Sequence, residues 1–366
     1  MKRLLVVAGE GSGDLLAAPV VARLGTHAFG LGGPRLHEAG TDLVADVRSF
    51  AAMGIGGPIR RLPALAAAMA NVARAIRTRR PAAALLVGFS EPNTRIAPWL
   101  RARGVRVLWY APPQVWAWRP RRASAIAASC DRMAVILPFE LFPWRAARGT
   151  VDYVGHPALD HELSPAAPPT GERPIRVALL PGSRPHEVEA HWEPMAEGVR
   201  ELRRRHRSVE ATVVGAPALE GRTLSRLGAE AVAAGATFTT EPIASALEGH
   251  HVAVCSSGTA TLECAALGVP PVIVYRTDAV TYAIARRLVR VPHVGLPNLV
   301  LGQSRFPELL QRDVSVRNVA GALASVLATH DEHVMACREV RSVLEAGLDV
   351  RTPADRVAAM LRPWLD

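Results

Sequence analysis

Short runs of apolar residues recur along this chain, each closed by glycine, serine or proline and followed by a stretch with helical spacing. The first run, residues 3–8, leads through Gly9-Glu10-Gly11-Ser12-Gly13-Asp14 into a helix ending near Leu24. A second strand is predicted at residues 27–32, and others at 83–87, 105–110, 132–136 and 151–154, with helices near 71–79, 94–103 and 121–129 between them. Most of the runs are predominantly apolar rather than alternating, as strands buried on both faces are. Strands of that kind, interleaved with helices, form a parallel sheet covered on both sides. After Gly155-His156-Pro157 the pattern breaks, and residues 158–174 read as a proline-rich linker. The alternation restarts at 175–180, continues through 209–214, 237–239, 251–255 and 272–275, and gives way to helices as far as Trp364.

The predicted fold class is therefore α/β: two Rossmann-like doubly wound parallel-sheet domains, residues 1–157 and 175–351, with residues 352–366 as a terminal helix. A chain of 366 residues is too long for one typical core, which agrees with two domains. Two such halves would leave a cleft where the carboxyl ends of their strands face each other.

Charge narrows the choice of partner. The net charge is +10, and Lys2 is the only lysine, so arginine carries nearly all of it. The excess favours anionic partners: acidic substrates, a membrane surface or nucleic acid. Zinc-finger spacing and aromatic-basic RNA-binding signatures are missing, so nucleic acid ranks last and is not expected as a partner. No apolar run reaches 18 residues and no signal peptide opens the chain, which points to a protein that is neither membrane-spanning nor exported. Cys130, Cys255, Cys264 and Cys337 lack metal-type spacing and read as buried, reduced thiols. No metal site is expected.

The stretch from His251 to Arg276 carries the strongest chemistry. Two buried strands flank Ser256-Ser257-Gly258-Thr259, a turn that opens a helix to about Leu267. Such a helix start points free N–H groups and a positive dipole end at one spot, which suits a phosphate or diphosphate. Glu263 lies one turn beyond Thr259 on the same face, where a carboxylate can accept from a ribose diol. An ordinary capped helix with a surface glutamate would use the same residues. In Pro181-Gly182-Ser183-Arg184, the arginine stands where it can clamp a diphosphate and stabilise it as it leaves; alternatively Ser183 caps a helix and Arg184 is solvated.

In the first half, Gly9–Asp14 is not a dinucleotide fingerprint, because Asp14 stands where a glycine is needed and no acidic residue ends the second strand. NAD is excluded on that ground. The glycines suit a bulky acceptor close to the backbone, with Glu10 and Asp14 as polar contacts, or simply a strand-to-helix turn. Trp116 and Trp118, with Arg119, lie on a proline-stiffened loop and would wall a sugar or lipid site or pack the domain. Met53, Ile55 and Ile59 beside Arg60 and Arg61 open a basic amphipathic helix that would lie on an anionic membrane or pack on its own sheet. Glu91, the ionisable group of Gly88-Phe89-Ser90-Glu91-Pro92-Asn93, sits at a strand end as a base would, or as a helix cap or a salt-bridge partner.

Together these tracts resemble the lipid-A-disaccharide synthase family, glycosyltransferases of the GT-B fold. The resemblance rests on Ala8–Asp14, Met53-Gly54-Ile55, Val115-Trp116-Ala117-Trp118-Arg119, Leu137-Pro138-Phe139-Glu140, Gly155-His156-Pro157 and Leu180-Pro181-Gly182-Ser183-Arg184 with Glu187 and Glu189. It continues in Ser257–Glu263 and Leu296-Pro297-Asn298-Leu299, in family order over nearly the whole chain. It implies transfer of 2,3-diacylglucosamine from its UDP-activated form to 2,3-diacylglucosamine 1-phosphate, with inversion and with neither metal nor organic cofactor. It also implies that Ser183, Arg184, Ser257, Gly258 and Thr259 hold the UDP phosphates, Glu263 the ribose, and that Asn298 lies beside the nucleotide. Met53 and the apolar residues after it would meet lipid at the cytoplasmic face of the inner membrane. The final helix would cross back onto the first domain, and a homodimer through C-terminal segments is possible in this family.

One departure matters. The family usually carries an aspartate, its presumed general base, where this chain has Ser90. A serine cannot take the acceptor's proton at neutral pH. Glu91, Glu10 or Asp14 would have to serve, or the chain acts on another acceptor. The rivals are a diverged glycosyltransferase with a different lipid acceptor, a nucleotide- or lipid-binding relative without catalysis, and, further off, a UDP-sugar epimerase.

Overall fold

Seven parallel strands form the first sheet: β1 (Leu4–Ala8), β2 (Ala28–Gly32), β3 (Asp42–Asp46), β4 (Ala83–Val87), β5 (Arg106–Tyr110), β6 (Arg132–Val135) and β7 (Val151–Tyr153). Six more form the second: β8 (Ile175–Leu180), β9 (Val209–Val214), β10 (Thr237–Thr239), β11 (Val252–Ser256), β12 (Pro271–Tyr275) and β13 (Glu308–Leu310). The computed structural model describes every residue except 1, 52–56, 118, 169–173, 206–207, 217–218, 220, 279–281 and 283–291. The strand orders are β3-β2-β1-β4-β5-β6-β7 and β10-β9-β8-β11-β12-β13. Both are doubly wound, because helices return the chain to either side of the first strand.

The chain divides into two units, Met1–Pro157 with Gly347–Asp366, and Ala158–Ala346. In the first, β1 and β4 are buried at every position, and apolar side chains from their two faces feed two separate cores. Trp109 and Trp144 are wholly buried in one of these. Side chains of that size dominate the energetics of such a core. The terminal helix Pro353–Leu365 closes the other core with Val357, Ala358 and Leu361. It starts with a capping box in which Thr352 and Asp355 satisfy each other's backbone N–H, and Asp355 is paired with Arg23.

In the second unit, β8 and β11 form the middle of the sheet, packed beneath the helices Pro185–Arg205 and Val316–Ala328. Part of the stretch read as a linker is a strap on this unit. Ser164 donates its N–H to the Leu267 carbonyl, 3.1 Å away, Pro165 covers Gly268, and Arg341 holds the His161 carbonyl at 2.7 Å. Among the described residues, no helix is long and apolar enough to cross a membrane.

His156, just after β7, is fully enclosed, and burial pushes its imidazole down to about 4. The folded chain therefore keeps this ring neutral while the unfolded chain protonates it below the usual value near 6.5. Stability is predicted to fall as pH drops from about 6.5 to about 4 and to level off below that. Complete titration of this one group would cost roughly 3 kcal/mol. Denaturant midpoints measured across that range should lose much of their pH slope in His156→Gln; an unchanged slope would assign the acid lability elsewhere.

Candidate active site

The strand order of each sheet reverses once, between β8 and β11 in the second unit and between β1 and β4 in the first. At such a point the loops leaving the carboxyl ends of the two strands diverge to opposite faces and open a crevice. Every loop singled out from the sequence as chemistry-bearing, apart from the aromatic tract and the basic helix, leaves one of these four strands or lies just beyond them.

In the second unit, Leu180 pairs with Cys255, so Pro181–Arg184 and Ser256–Thr259 leave the sheet side by side. The first loop is braced from within. The buried Glu187 carboxylate accepts from the Ser183 and Arg184 N–H groups at 2.8 and 3.2 Å, and its other oxygen takes the Arg184 guanidinium at 2.8 Å. Gly182 has φ +136°, and a side chain there would meet Glu187 at 2.5 Å. Glycine is thus required both by conformation and by space. The Arg184 side chain is 67% exposed, so its remaining N–H groups face outward while one edge is held.

His191 ties that loop to the next strand. Arg276 donates its N–H to Nε2 at 2.9 Å, so Nε2 is the acceptor; Nδ1 carries the proton and donates to the Pro181 carbonyl at 2.9 Å. Burial depresses the imidazole, which keeps it in this neutral tautomer. Arg276 follows β12 with an exposed side chain. It lines a cavity of about 660 Å³ with His186, Glu189, Glu193, Thr277 and Asp278.

The second loop supplies donors. Ser257 donates its N–H to Val274 and its hydroxyl to the Val294 carbonyl, which fixes the turn. The helix Thr259–Ala266 then begins, and the N–H groups of Gly258, Thr259 and Ala260 have no acceptor among the described residues. Glu263, one turn on, is half-buried, has no donor among the described residues, and has its carboxyl pushed up by burial. The buried Ser256 hydroxyl also has no partner among the described residues. An anion above the helix start, with a diol reaching down to Glu263, would satisfy all of these groups.

Asn298 does not belong with them. It is completely buried; its amide donates to Phe306 O and Glu308 at 2.9 and 2.8 Å, and its oxygen accepts from the N–H groups of Arg305 and Phe306 at 2.9 Å each. With both donors and both lone pairs engaged, it has nothing left for a nucleotide. Its work is to hold Glu308, which accepts from the N–H groups of Val294 and Gly295 and so supports the carbonyl that Ser257 uses.

In the first unit, Ala8 pairs with Val87, and the Gly9–Asp14 and Gly88–Asn93 loops leave together. A side chain at Gly9 would meet the Phe89 ring at 2.3 Å, so glycine lets the two loops close on each other. Of the carboxylates considered as a base, two are engaged. Asp14 is buried and accepts from the N–H groups of Gly33, Arg35 and Leu36 at 2.7, 3.0 and 3.1 Å, capping the short helix after β2. It is a structural clamp rather than a base. Glu91 is exposed and bound by Arg122 at 2.6 Å and Arg119 at 3.4 Å. Arg122, and behind it Arg119, hold its carboxyl below the usual range, the wrong direction for a base. Glu10 is exposed at the start of the helix Gly11–Leu24 and has no side-chain partner among the described residues.

Trp116 donates Nε1 to Glu140 at 3.0 Å and lies edge-on to Phe139 at 4.9 Å. Burial pushes the Glu140 carboxyl up to about 7 against the bonds from Trp116 and Leu137. The indole is thereby fixed in place, as a wall of a site needs. Met53, Ile55 and Trp118 lie outside the described residues. Ile59, Arg60 and Arg61 fall at the start of the helix Gly57–Arg79, where the backbone alone is described. The braces His191, Arg276, Glu308, Glu140 and Arg122 were not anticipated; the one legible signal was His191 four residues after Glu187, on the same helical face.

Residues 4–359 match a family model described as lipid-A-disaccharide synthetase. The chain is similar to the lipid-A-disaccharide synthase of Anaeromyxobacter dehalogenans (strain 2CP-C), with 36% identity over 381 residues and coverage of 98% of each chain. The lipid-A-disaccharide synthase of Geobacter sulfurreducens is 34% identical over 337 residues, 89% of this chain and 88% of the relative. Among solved structures, the UDP-GlcNAc 2-epimerase of Neisseria meningitidis bound to UDP-GlcNAc superposes with a TM-score of 0.65 at 10% identity, covering 99% of this chain and 100% of the other. The calicheamicin glycosyltransferase CalG4 gives 0.61 at 15%, covering 100% and 98%. At such identities these two structures establish the fold, GT-B, and nothing further.

His191→Phe preserves bulk but strands the Pro181 carbonyl and the Arg276 N–H. We expect a loss of about 1–3 kcal/mol in unfolding free energy, the usual cost of leaving buried polar groups unpaired. Urea denaturation of the variant measures it, and a loss well under that range would mean water replaces the ring.

Proposed function

Because the chain belongs to the lipid-A-disaccharide synthase family of UDP-sugar glycosyltransferases, we propose the following division of labour between its two units. The second unit binds the activated sugar. The diphosphate of UDP lies over the start of the helix Thr259–Ala266, where three N–H groups lack acceptors among the described residues, and Arg184 grips it from the neighbouring loop. Glu263 accepts from the ribose hydroxyls. That arrangement of open N–H groups, a half-held guanidinium and an unpartnered carboxylate is the observation that carries the reading.

The first unit presents the acceptor, 2,3-diacylglucosamine 1-phosphate, and the carboxylate that takes its proton. With Asp14 and Glu91 engaged, Glu10 is the base of choice: it is exposed on the loop leaving β1, next to the loop leaving β4 that carries Ser90, where the family's aspartate usually stands. The acceptor hydroxyl attacks the anomeric carbon from the face opposite UDP and inverts it. As the bond to UDP breaks, Arg184 and the helix start absorb the charge developing on the diphosphate, which is where most of the rate enhancement arises. Trp116 walls the acceptor side, and the segment around Met53 to Arg61 rests on the anionic cytoplasmic face of the inner membrane. A homodimer through C-terminal segments would be compatible with all of this.

Incubation with UDP-2,3-diacylglucosamine and 2,3-diacylglucosamine 1-phosphate should yield UDP and a β-1,6-linked disaccharide. Release of UDP only with another lipid acceptor would favour a diverged transferase, and UDP binding without any release a binding protein. Arg184→Ala should reduce turnover at least ~10²-fold, as loss of a charge-stabilising donor does. Glu10→Gln should reduce it ~10²–10⁴-fold, the span of general-base catalysis; near-normal turnover would remove Glu10 from that role. Hydroxyl donors favour the ionised form of Glu263, whose carboxyl is raised in the free protein. UDP affinity should therefore weaken as pH falls through that raised range, and Glu263→Gln should flatten the profile in calorimetric titration.

A further inference from the structure

Two arginines converge on one carboxylate at the carboxyl edge of the first sheet. Arg122 meets both oxygens of Glu91, Nη1 at 2.6 Å and Nη2 at 3.4 Å, and Arg119 meets Oε1 at 3.4 Å. These side chains come from different loops: Glu91 from the first turn of the helix Ser90–Arg101 after β4, the arginines from the segment after β5. Arg122, Arg119 and, further out, Arg95 all act on this one carboxylate. Strands β4 and β5 are neighbours, with Val87 paired to Tyr110, so the cluster stands one strand over from Glu10.

The backbone here is held in an unusual state. Phe89, Ala111 and Arg119 all have positive φ, +47°, +50° and +56°, and all follow the carboxyl ends of β4 and β5. Left-handed non-glycine residues cost free energy and gather where a site must be shaped. Nothing in the packing of Glu91 calls for this, since its side chain is 53% exposed. An ion pair so exposed contributes little stability and is readily exchanged.

We propose that Arg119 and Arg122 form a phosphomonoester subsite for the acceptor substrate, and that Glu91 occupies it as a stand-in anion until the phosphate displaces it. A phosphate dianion balances two guanidinium groups, which one carboxylate does not, and offers them paired oxygens in the geometry that arginine prefers. Glu91 then acts neither as a base nor as a fixed structural link: it is an internal competitor that keeps the guanidinium groups turned toward the crevice. The subsite rests on the reading of the first unit as the acceptor side and adds to it which group of the acceptor is recognised, and by what.

The test uses the full-length protein, with steady-state transfer and direct binding measured separately. With 2,3-diacylglucosamine 1-phosphate as acceptor, Arg122→Ala should raise KM at least ~10-fold. With dephosphorylated 2,3-diacylglucosamine, its KM should stay within about 2-fold of the wild type, since a phosphate contact discriminates only where a phosphate is present. Glu91→Gln should lower KM for the phosphorylated acceptor and leave kcat nearly unchanged, because it removes the competitor but neither cation. Equal KM effects on both acceptors, or a collapse of kcat in Glu91→Gln, would overturn the proposal. Calorimetric titration with glucose 1-phosphate supplies the arm that does not depend on transfer. Binding that weakens in Arg122→Ala and tightens in Glu91→Gln supports the subsite even if neither acceptor is glycosylated, an outcome that would sink the acceptor assignment alone. Absence of glucose 1-phosphate binding to the wild type, or binding indifferent to both substitutions, would overturn the subsite itself.

Discussion

The second unit keeps the polar groups of one helix start open while the loops around that start are braced from within. A helix start whose N–H groups lack acceptors costs free energy until an anion arrives, and it attracts that anion because the helix dipole points the same way. The cost is tolerable only if the loops cannot fold inward to satisfy those groups themselves. Three braces prevent that. The Glu187 carboxylate takes up the N–H groups of the Arg184 loop, His191 rivets that loop to the end of β12, and Asn298 with Glu308 fixes the turn that Ser257 grasps. These braces hold the loops around the helix start in place, while the Ser256 hydroxyl and the Glu263 carboxylate stay without partners among the described residues.

The first unit uses the same architecture for different chemistry. Its switch point also lies between two wholly buried strands, and the side chains gathered there are carboxylates, arginines and aromatic rings. Asp14 caps its own neighbouring helix, so no anion is drawn to that helix start. Trp116 is pinned by a carboxyl that burial leaves near neutrality, which lets Glu140 act as a hydrogen-bonding brace without burying a full charge. A doubly wound sheet therefore determines where a ligand goes, while the loops determine which ligand.

How much of this could be read from the sequence follows from burial. The central strands β1, β4, β8, β11 and β12 are apolar runs interrupted only at Arg176 and Ser256 because both their faces are covered, and such runs are visible without coordinates. The edge strands β3 and β13 were not anticipated, since half-exposed strands such as Asp42–Asp46 and Glu308–Leu310 mix polar and apolar residues as loops do. The loop glycines and the Ser-Gly-Thr turn that opens the helix Thr259–Ala266 were legible, because backbone geometry restricts which residues can stand there. The roles of Asp14 and Asn298 were not legible, and for Glu91 the salt bridge stood only as one reading beside that of a base. A carboxylate or an amide has the same letter whether it faces a substrate or three backbone N–H groups, and only the tertiary fold brings Gly33, Arg122 or Phe306 to it.

The serine at position 90 then has a physical consequence beyond the loss of one base. An aspartate there would share the crevice with Glu91 and Glu10, and carboxylates so close repel each other's charge. Replacing it with serine removes one negative charge beside Arg119 and Arg122, whose pairing with Glu91 is the visible remainder of that balance. The Gly9–Asp14 and Gly88–Asn93 loops leave the paired ends of β1 and β4, so a base moved from one loop to the other would still stand at the same crevice. A site built from two adjacent strand ends can exchange its base between them without moving the substrate.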